Sequence, residues 1–489
     1  MSFWFIACDD YDSFTTDRSI TLSFSRDTIA FDTLLTTVPS STQTLTVFNH
    51  ADEGLRITDV FLEGGAASPF RINIDGQDMS RSAANHVTDF EVRRRDSILV
   101  RAEVTLPAFE SDEPQEIKDA LVFCLESGVQ QRVPLTVVGR DAFFLRACTL
   151  LNDTTFSARR PIVIYDSLVV APDVTLTLPA GTQLLFHDQA GLTVHGRLVA
   201  AGTLEAPVLL RGDRTDHMFD YLPYDRLPAR WEGIILTAES FDNELSYIDL
   251  HSGNYGIQCD SSNTNALKLT LVNSRLHNLG GHGLSEKDCR VEVANTEISN
   301  TLGHCVELIG GHSSFVHCTL AQFYALSADR GDAVNVTFYE DTATYHPLLK
   351  ADFINCVITG YAEDVIMLPN LDPRQWGYKG SVEDPIVNYC FRNCFLATEV
   401  PDDELYKTRF INNTLDPRKG DFAHEKNFQL LDTHNFLYDF TPLEESSIRG
   451  IADPAFSSAW PLDRQGRSRT ADGAPDAGCY EFIPQSENP

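Results

Sequence analysis

The first third of the chain carries short runs in which apolar and polar residues alternate. Residues 44–48 and 99–104 are two such runs, and turn-rich stretches such as residues 63–66 separate them. Because successive side chains of a strand point to opposite faces of a sheet, this alternation is typical of half-buried antiparallel strands. It predicts a β-sandwich over residues 19–142.

A second pattern begins near residue 160, where a four-residue template recurs: Asn or His, a small residue, any residue, then Leu or Ile. Its copies are residues 273–276, 295–298, 317–320, 355–358, 393–396 and 412–415, separated by 22, 22, 38, 38 and 19 residues. A period near 22 with tolerated insertions indicates a solenoid. Units this short and rich in Val, Ile, Leu and Thr predict a parallel β-helix, whose coils stack about 4.8 Å apart.

The template also predicts which side chains face the interior. Side chains alternate along a strand, so the small second residue and the Leu or Ile point to one face, and the Asn or His to the other. Three copies carry a cysteine in the second position, at Cys318, Cys356 and Cys394. We expect these thiols to form an inward ladder with a packing role, and no cysteine spacing indicates a metal site.

Three insertions interrupt the repeat, at about residues 211–231, 331–350 and 363–388. Insertions in a solenoid have to leave the coil, and they often form its binding surface. Trp231, Trp376 and Tyr378 lie in the first and third insertions and are the predicted ligand-binding residues, because a rigid aromatic ring can stack on a sugar. The alternative is that these rings seal the insertions onto the wall of the coil.

The chain is strongly acidic, with 70 Asp and Glu against 38 Lys and Arg and a net charge of −32 at pH 7. Such a field repels phosphate backbones, so we expect no nucleic-acid partner. The hydrophobic content of 43% indicates a globular protein and not an acidic disordered tail. No run of 18 apolar residues occurs, so we expect no transmembrane helix and any membrane attachment through a lipid.

The amino terminus is an apolar stretch that ends in Ala7 and Cys8 and is followed by two acids. It resembles the end of a bacterial lipoprotein signal, which implies that Cys8 carries the lipid anchor. Phe5 stands where that family usually has Leu, and a basic region and a long apolar region are missing, as a start codon assigned too far downstream would produce. The alternative is an ordinary cytosolic start.

Longer stretches resemble known surface proteins. Residues 27–33 and 68–73 are similar to the amino-terminal immunoglobulin-like sandwich of Bacteroidota surface lipoproteins. The opening and closing coils of right-handed parallel β-helix proteins resemble residues 178–182, 191–198, 201–208, 463–467 and 475–481. The resemblance implies a tether at 1–18, the sandwich at 19–142, a right-handed β-helix at 150–483, and an outer-membrane, cell-surface location.

One segment is similar to an enzyme family. Residues 280–285, with His282, resemble part of the polygalacturonases, where the histidine accompanies three catalytic aspartates. Here residues 262–265 lack the matching Asp, and without two carboxylates nothing flanks a glycosidic bond as acid and base. His282 is therefore predicted to be a turn residue. A lyase would need a base beside a cation, and for Lys268 and Arg275 we expect surface salt bridges instead.

The first insertion carries Asp213, Asp216, Asp220 and Asp225, and an oxygen-rich loop of this kind suits Ca²⁺. The alternative is a set of solvated loop acids. No other cofactor is expected.

These observations predict a non-catalytic cell-surface lipoprotein that binds a glycan or serves as an accessory scaffold for envelope proteins in an outer-membrane complex. The missing pair of catalytic carboxylates disfavours an enzyme. The alternative is a polysaccharide lyase or glycoside hydrolase that acts on an acidic polysaccharide.

Overall fold

The computed structural model describes residues 13–81, 85–219, 221–362, 364–370, 372–416, 426–482 and 484. Cys8, the predicted lipid anchor, lies outside these residues. The chain forms two compact units, Met1–Ala142 and Phe143–Pro489. In the described part of the chain, no helix has the length and apolar character needed to cross a membrane.

The described residues of the first unit form a sandwich of two five-stranded sheets. Its strands are β1 (Ser23–Phe24), β2 (Ile29–Leu35), β3 (Gln43–Phe48), β4 (Leu55–Leu62), β5 (Phe70–Ile74), β6 (Gln77–Asp78), β7 (His86–Val92), β8 (Ser97–Val104), β9 (Gln115–Leu125) and β10 (Gln130–Arg140). The sheets have the orders β1-β3-β8-β5-β6 and β2-β10-β9-β4-β7. In β8 every second residue is buried, as the alternating pattern predicts.

In its described residues, the second unit contains thirty-two strands. They are β11 (Phe143–Leu150), β12 (Thr154–Thr155), β13 (Ile162–Val170), β14 (Thr175–Pro179), β15 (Gln183–Phe186), β16 (Gly191–Val194), β17 (Arg197–Ala201), β18 (Val208–Gly212), β19 (His217–Phe219), β20 (Leu222–Pro223), β21 (Ile234–Leu236), β22 (Asn243–Ser246), β23 (Ile248–His251), β24 (Ile257–Cys259), β25 (Leu269–Val272), β26 (Arg275–Leu279), β27 (Leu284–Lys287), β28 (Arg290–Ala294), β29 (Glu297–Thr301), β30 (Val306–Ile309), β31 (Gly311–Val316), β32 (Thr319–Gln322), β33 (Val334–Thr337), β34 (Leu348–Ile354), β35 (Val357–Gly360), β36 (Ile366–Met367), β37 (Val387–Arg392), β38 (Phe395–Leu396), β39 (Phe410–Ile411), β40 (Thr414–Leu415), β41 (Phe428–Asp432) and β42 (Leu437–Pro442). Two one-turn helices, α1 (Glu404–Lys407) and α2 (Pro454–Ser457), complete it.

Parallel strands of successive coils stack into three ladders. Sheet A is β12-β14-β17-β22-β25-β28-β31-β34-β37-β39. Sheet B is β15-β18-β23-β26-β29-β32-β35-β38-β40, and sheet C is β16-β21-β24-β27-β30-β33-β36; β11 and β13 pair along both. Each complete coil visits A, B and C in turn. The predicted fold class, a β-sandwich followed by a parallel β-helix, is confirmed.

The first residue of the repeated template forms the corner between sheets A and B. Asn273, Asn295, His317, Asn355, Asn393 and Asn412 all have positive φ, between 51° and 57°. Asparagine tolerates this left-handed conformation better than most residues, so the template marks a turn and not an outward strand position. The following cysteines, Cys318, Cys356 and Cys394, are fully buried in the coil interior, and the Cys356 backbone N–H lies 3.3 Å from the Cys394 sulfur.

The C-terminal layer, residues 426–482, covers part of the outer face of sheet B. One buried cluster joins this layer to sheet B: it contains Phe428, Phe440 and Tyr480 of the layer, Phe395 of β38 and Phe323, which directly follows β32. The layer is also bonded to the A–B corner: the Asn295 amide donates to the Leu462 carbonyl oxygen at 2.8 Å, and the Asn355 amide to that of Asp453 at 3.1 Å. The two other outer faces are not sealed by this cluster.

Candidate functional site

Four neighbouring strands of sheet A, β25, β28, β31 and β34, place polar side chains in two outward columns. One column is Arg290, His312 and Lys350, which are register partners on successive coils. The second column is Thr270, Glu292, Ser314 and Asp352. Because stacked parallel strands lie about 4.8 Å apart, the three basic side chains span about 10 Å along the helix axis.

These columns, apart from Asp352, form the floor of a shallow trough of about 250 Å³. Trp460, from the C-terminal layer, forms part of its wall. The remaining lining is aliphatic, from Val272, Val293, Ala294 and Val316. The trough therefore combines an aromatic ring, an apolar strip and a polar floor, the composition of a site for a small polar ligand.

Each cation of the trough has a carboxylate neighbour on its own strand. Arg290 Nη2 lies 2.6 Å from Glu292 Oε1, and Lys350 Nζ lies 3.4 Å from Asp352 Oδ2. Partly exposed pairs of this kind contribute little to stability, so a ligand can compete for the cations. Arg290 Nε is buried and has no hydrogen-bond acceptor among the described residues, which leaves it one unused donor.

The imidazole of His312 lies between the two cations along the column. Desolvation, followed by repulsion from Lys350 and Arg290, lowers the pKa of His312 below its usual value. His312 is therefore neutral near pH 7 and can either donate or accept a hydrogen bond. The floor as a whole offers donors from Arg290 and Lys350 and acceptors from Glu292 and Ser314.

Trp231 does not offer its ring to a ligand. It is 1% exposed, stacks on Phe186 with ring centroids 4.2 Å apart, and donates its indole N–H to the His251 carbonyl oxygen at 2.9 Å. The expectation of a binding role at Trp231 is therefore corrected: this ring belongs to the core where the first insertion rejoins the coil.

Trp376 and Tyr378 lie at a different corner. The second and third insertions both leave the coil between sheets C and A, whereas the first leaves between B and C. Trp376 and Tyr378 pack edge-on against Phe338, with centroids 5.1 and 5.6 Å away, and both are partly buried against the main core. The structure thus brings Trp376 and Tyr378 together, whereas Trp231 stacks on a different ring, Phe186. Their packing matches the alternative expectation, in which the rings seal the insertion onto the wall of the coil.

The other predicted residues also have structural partners. Lys268 is fully buried, contrary to the expected surface salt bridge, and donates to the carbonyl oxygens of Thr237 and Ser240 at 2.6 and 2.9 Å. Arg275, whose side chain is 26% exposed, pairs with the buried Glu297 at 3.0 Å. His282 lies between β26 and β27 and stacks on His304.

The three aspartates of the first insertion that the structure describes do not converge on a cation site. Asp213 lies 2.7 Å from His187, Asp216 is paired with Arg214, and Asp225 lies 3.2 Å from Arg211. Asp220 lies outside the described residues. The described groups with metal-binding geometry are instead two histidine clusters, Asp249-His251-His277 and His282-His304-Glu307.

Sequence reasoning missed the trough. Arg290, His312 and Lys350 are separated by 22 and 38 residues, the same intervals that separate three copies of the repeated template. Each of the three residues stands five positions before the first residue of a template copy. Because the copies occupy equivalent places on successive coils, this constant offset would have placed the three side chains in one column. Trp460 gives no comparable signal, because the C-terminal layer lies outside the repeat.

No protein-family model matches this chain, and no curated protein does. Among solved structures, the E. coli chaperone DraB is similar at 16% identity, over 25% of this chain and 55% of that chain, with a TM-score of 0.17. A protein of unknown function from Porphyromonas gingivalis W83 is similar at 14% identity, over 27% and 60% of the two chains, with a TM-score of 0.17. Both matches cover less than two thirds of the solved chains, and TM-scores this low carry no inference about fold or function.

Proposed function

We propose that this protein is a non-catalytic surface lipoprotein that binds a glycan in the trough on sheet A. The observation that carries the proposal is the column of Arg290, His312 and Lys350 beside Trp460 in a chain of net charge −32. A local group of donors in so acidic a protein favours a ligand rich in hydroxyl or carboxylate oxygens.

Each part of the trough has a role in sugar recognition. The Trp460 ring provides an apolar face for the C–H side of a sugar ring at little entropic cost. The planar guanidinium of Arg290 can hold a carboxylate or a pair of hydroxyls with two parallel hydrogen bonds, and Lys350 adds a point charge further along the axis. Repetition of the column over successive coils suits an extended chain.

The test is a binding panel of acidic and neutral polysaccharides, measured by calorimetry with the parent protein and two lysine variants. We expect Lys350→Ala to weaken binding to the preferred glycan. Lys287→Ala is the matched control, because Lys287 has the same 37% exposed side chain and a carboxylate partner, Glu340, but lies on sheet C. Equal loss in both variants, or binding unaffected by Trp460→Ala, would refute the site. Absence of any glycan ligand would favour the scaffold role with envelope-protein partners.

The second candidate function, a lyase for acidic polysaccharides, is favoured by one observation. The neutral His312 lies between two cations, which is the arrangement needed for a base to remove a proton next to a carboxylate that a cation neutralises. Release of unsaturated products, followed by ultraviolet absorbance and abolished in His312→Gln, would establish this activity. Binding without such products supports the non-catalytic function.

The membrane location rests on the resemblance of the amino terminus to a lipoprotein signal. In that case Cys8 is the attachment point of the protein to the outer membrane. Cys8→Ser in the full precursor should release the protein into the soluble fraction. Unchanged membrane association in the variant would contradict lipid attachment at this residue.

A further inference from the structure

Three residues of metal-binding types, one aspartate and two histidines, meet on the outer face of sheet B. Asp249 and His251 are alternate residues of β23, and His277 is the register partner of His251 on the next coil. Asp249 Oδ1 lies 2.9 Å from His251 Nδ1 and 3.1 Å from His277 Nε2, and the two imidazoles stack with centroids 4.8 Å apart. One atom from each residue falls within 4.8 Å of the others.

This donor set suits a transition-metal ion. Imidazole nitrogens and one carboxylate oxygen are ligands of Zn²⁺ and related ions, and three protein ligands leave a coordination position for water. The side chains of Asp249, His251 and His277 keep 26%, 10% and 12% of their surface exposed, so an ion can reach them from solvent. The Trp231 indole N–H, bonded to the His251 carbonyl oxygen at 2.9 Å, holds the end of β23 in place.

The second histidine cluster shows what disqualifies a site. The His304 backbone N–H donates to Nδ1 of His282 at 3.0 Å, and the Asp332 backbone N–H donates to Nδ1 of His304 at 2.9 Å. A nitrogen that accepts a hydrogen bond carries no proton, so in both rings Nε2 is the nitrogen that holds the proton, and in His282 this nitrogen lies 3.6 Å from Glu307 Oε2. To bind a metal through Nε2, each ring would have to lose this proton or move it to Nδ1 and break the backbone hydrogen bond.

The sheet B cluster has no such restriction. In the part of the chain that the structure describes, no hydrogen bond reaches His251 Nε2 or His277 Nδ1. Each ring can therefore move its proton to the outer nitrogen and present the inner one to a metal, the arrangement usual for histidine ligands. The two hydrogen bonds to Asp249 would then be replaced by two metal bonds.

Nearby cations do not occupy the site. Arg275 and Arg211 both act electrostatically on Asp249. Arg275 is paired with Glu297 at 3.0 Å, and Arg211 with Asp225 at 3.2 Å. Asp249 is thus left with the two histidines as its hydrogen-bond partners, and its negative charge is available to a divalent ion.

We propose that Asp249, His251 and His277 bind one divalent transition-metal ion of the Zn²⁺ type, linking two successive coils of sheet B. The site is separate from the sheet A trough and does not depend on the proposed glycan function. It also differs from the Ca²⁺ site expected in the first insertion, because its ligands include two imidazoles.

The test uses full-length protein without a histidine tag, dialysed against Zn²⁺ and analysed for bound metal. We expect one Zn²⁺ per chain and a loss of affinity of at least about tenfold in Asp249→Asn and in His277→Gln. His304→Gln is the matched control, since it removes a histidine from the cluster that should not bind, and Trp460→Ala should leave Zn²⁺ binding unchanged. Circular dichroism of each variant checks that the coil remains folded.

A second measurement does not depend on variants. Co²⁺ added to the parent protein should give the intense visible absorption of a low-coordinate site with nitrogen ligands, and Zn²⁺ should displace it. The proposal is overturned if the parent protein retains no stoichiometric Zn²⁺, if Asp249→Asn binds as the parent does, or if His304→Gln loses as much affinity as His277→Gln.

Discussion

Glu286 provides a sharp test of the energetics of the coil interior. It lies in β27, in register with Cys259 and Leu308 of the neighbouring coils, and is 2% exposed. Ser313 donates a hydrogen bond to its Oε2, whereas Oε1 is buried without a partner among the described residues. Burial raises the pKa of Glu286 to about 8, which the Ser313 hydrogen bond only partly offsets. The folded protein therefore holds a proton here that the unfolded chain has lost at neutral pH.

The magnitude follows from proton linkage. The folded pKa of about 8 exceeds the reference value of 4.5, so this residue destabilises the fold progressively as the pH rises from 4.5 towards 8. At pH 7 the cost is about 1.4 kcal/mol per pH unit over about 2.5 units, or about 3.5 kcal/mol. Below pH 4.5 both states are protonated, and the cost vanishes.

Glu286→Gln keeps the shape of the side chain and removes its titration. We expect the free energy of unfolding of the variant, relative to the parent, to increase by about 3 kcal/mol between pH 4.5 and pH 7. Urea denaturation at several pH values measures this difference. Glu205→Gln is the control, because Glu205 is exposed in a turn of the same unit and should show no such trend. A variant-minus-parent difference that is independent of pH would refute the assignment of a neutral, buried Glu286.

Three further outcomes follow from the packing. Trp231→Ala should lower the free energy of unfolding by about 3–5 kcal/mol, measured by denaturation, and leave glycan binding unchanged, because the ring fills the core. Asn355→Ala should lower the free energy of unfolding by about 2–3 kcal/mol, because alanine is strained in the left-handed turn and the hydrogen bonds to Asp453 are lost. Asn355→Gly should remove the strain in the turn but not restore the hydrogen bonds. The interior thiols Cys318, Cys356 and Cys394 should resist alkylation until the protein unfolds, as mass spectrometry of treated protein would show; rapid native labelling would contradict their burial.

Sequence periodicity was enough to predict the architecture. The two-residue alternation of the sandwich and the 22-residue spacing of the template each reflect contacts between neighbouring strands, which a linear pattern records. The left-handed conformation of the template Asn residues was harder to predict from the sequence. A residue at a corner and a residue within a strand both recur once per coil, so the spacing does not distinguish them.

The site residues were harder to predict because burial depends on distant segments. Trp231 is covered by Phe186 of an earlier coil. Lys268 can be buried because the backbone carbonyl oxygens of Thr237 and Ser240, about thirty positions earlier in the chain, accept hydrogen bonds from its ammonium group. The trough needs a residue from the C-terminal layer, and no local pattern connects Trp460 to β31. The predicted glycan and membrane partners remain predictions.

The three corners of the coil differ in how they constrain changes of chain length. From β25 onward, two residues connect sheet A to sheet B, the first of them in a left-handed turn, and Asn295, His317 and Asn355 at this corner are bonded to the C-terminal layer. The three insertions all leave from the other two corners. A peptide tag or a foreign loop should therefore be accommodated between β33 and β34 or between β36 and β37. One added residue between β34 and β35 would instead disturb the two-residue corner, shift the register of β35 and break the bonds between Asn355 and the covering layer.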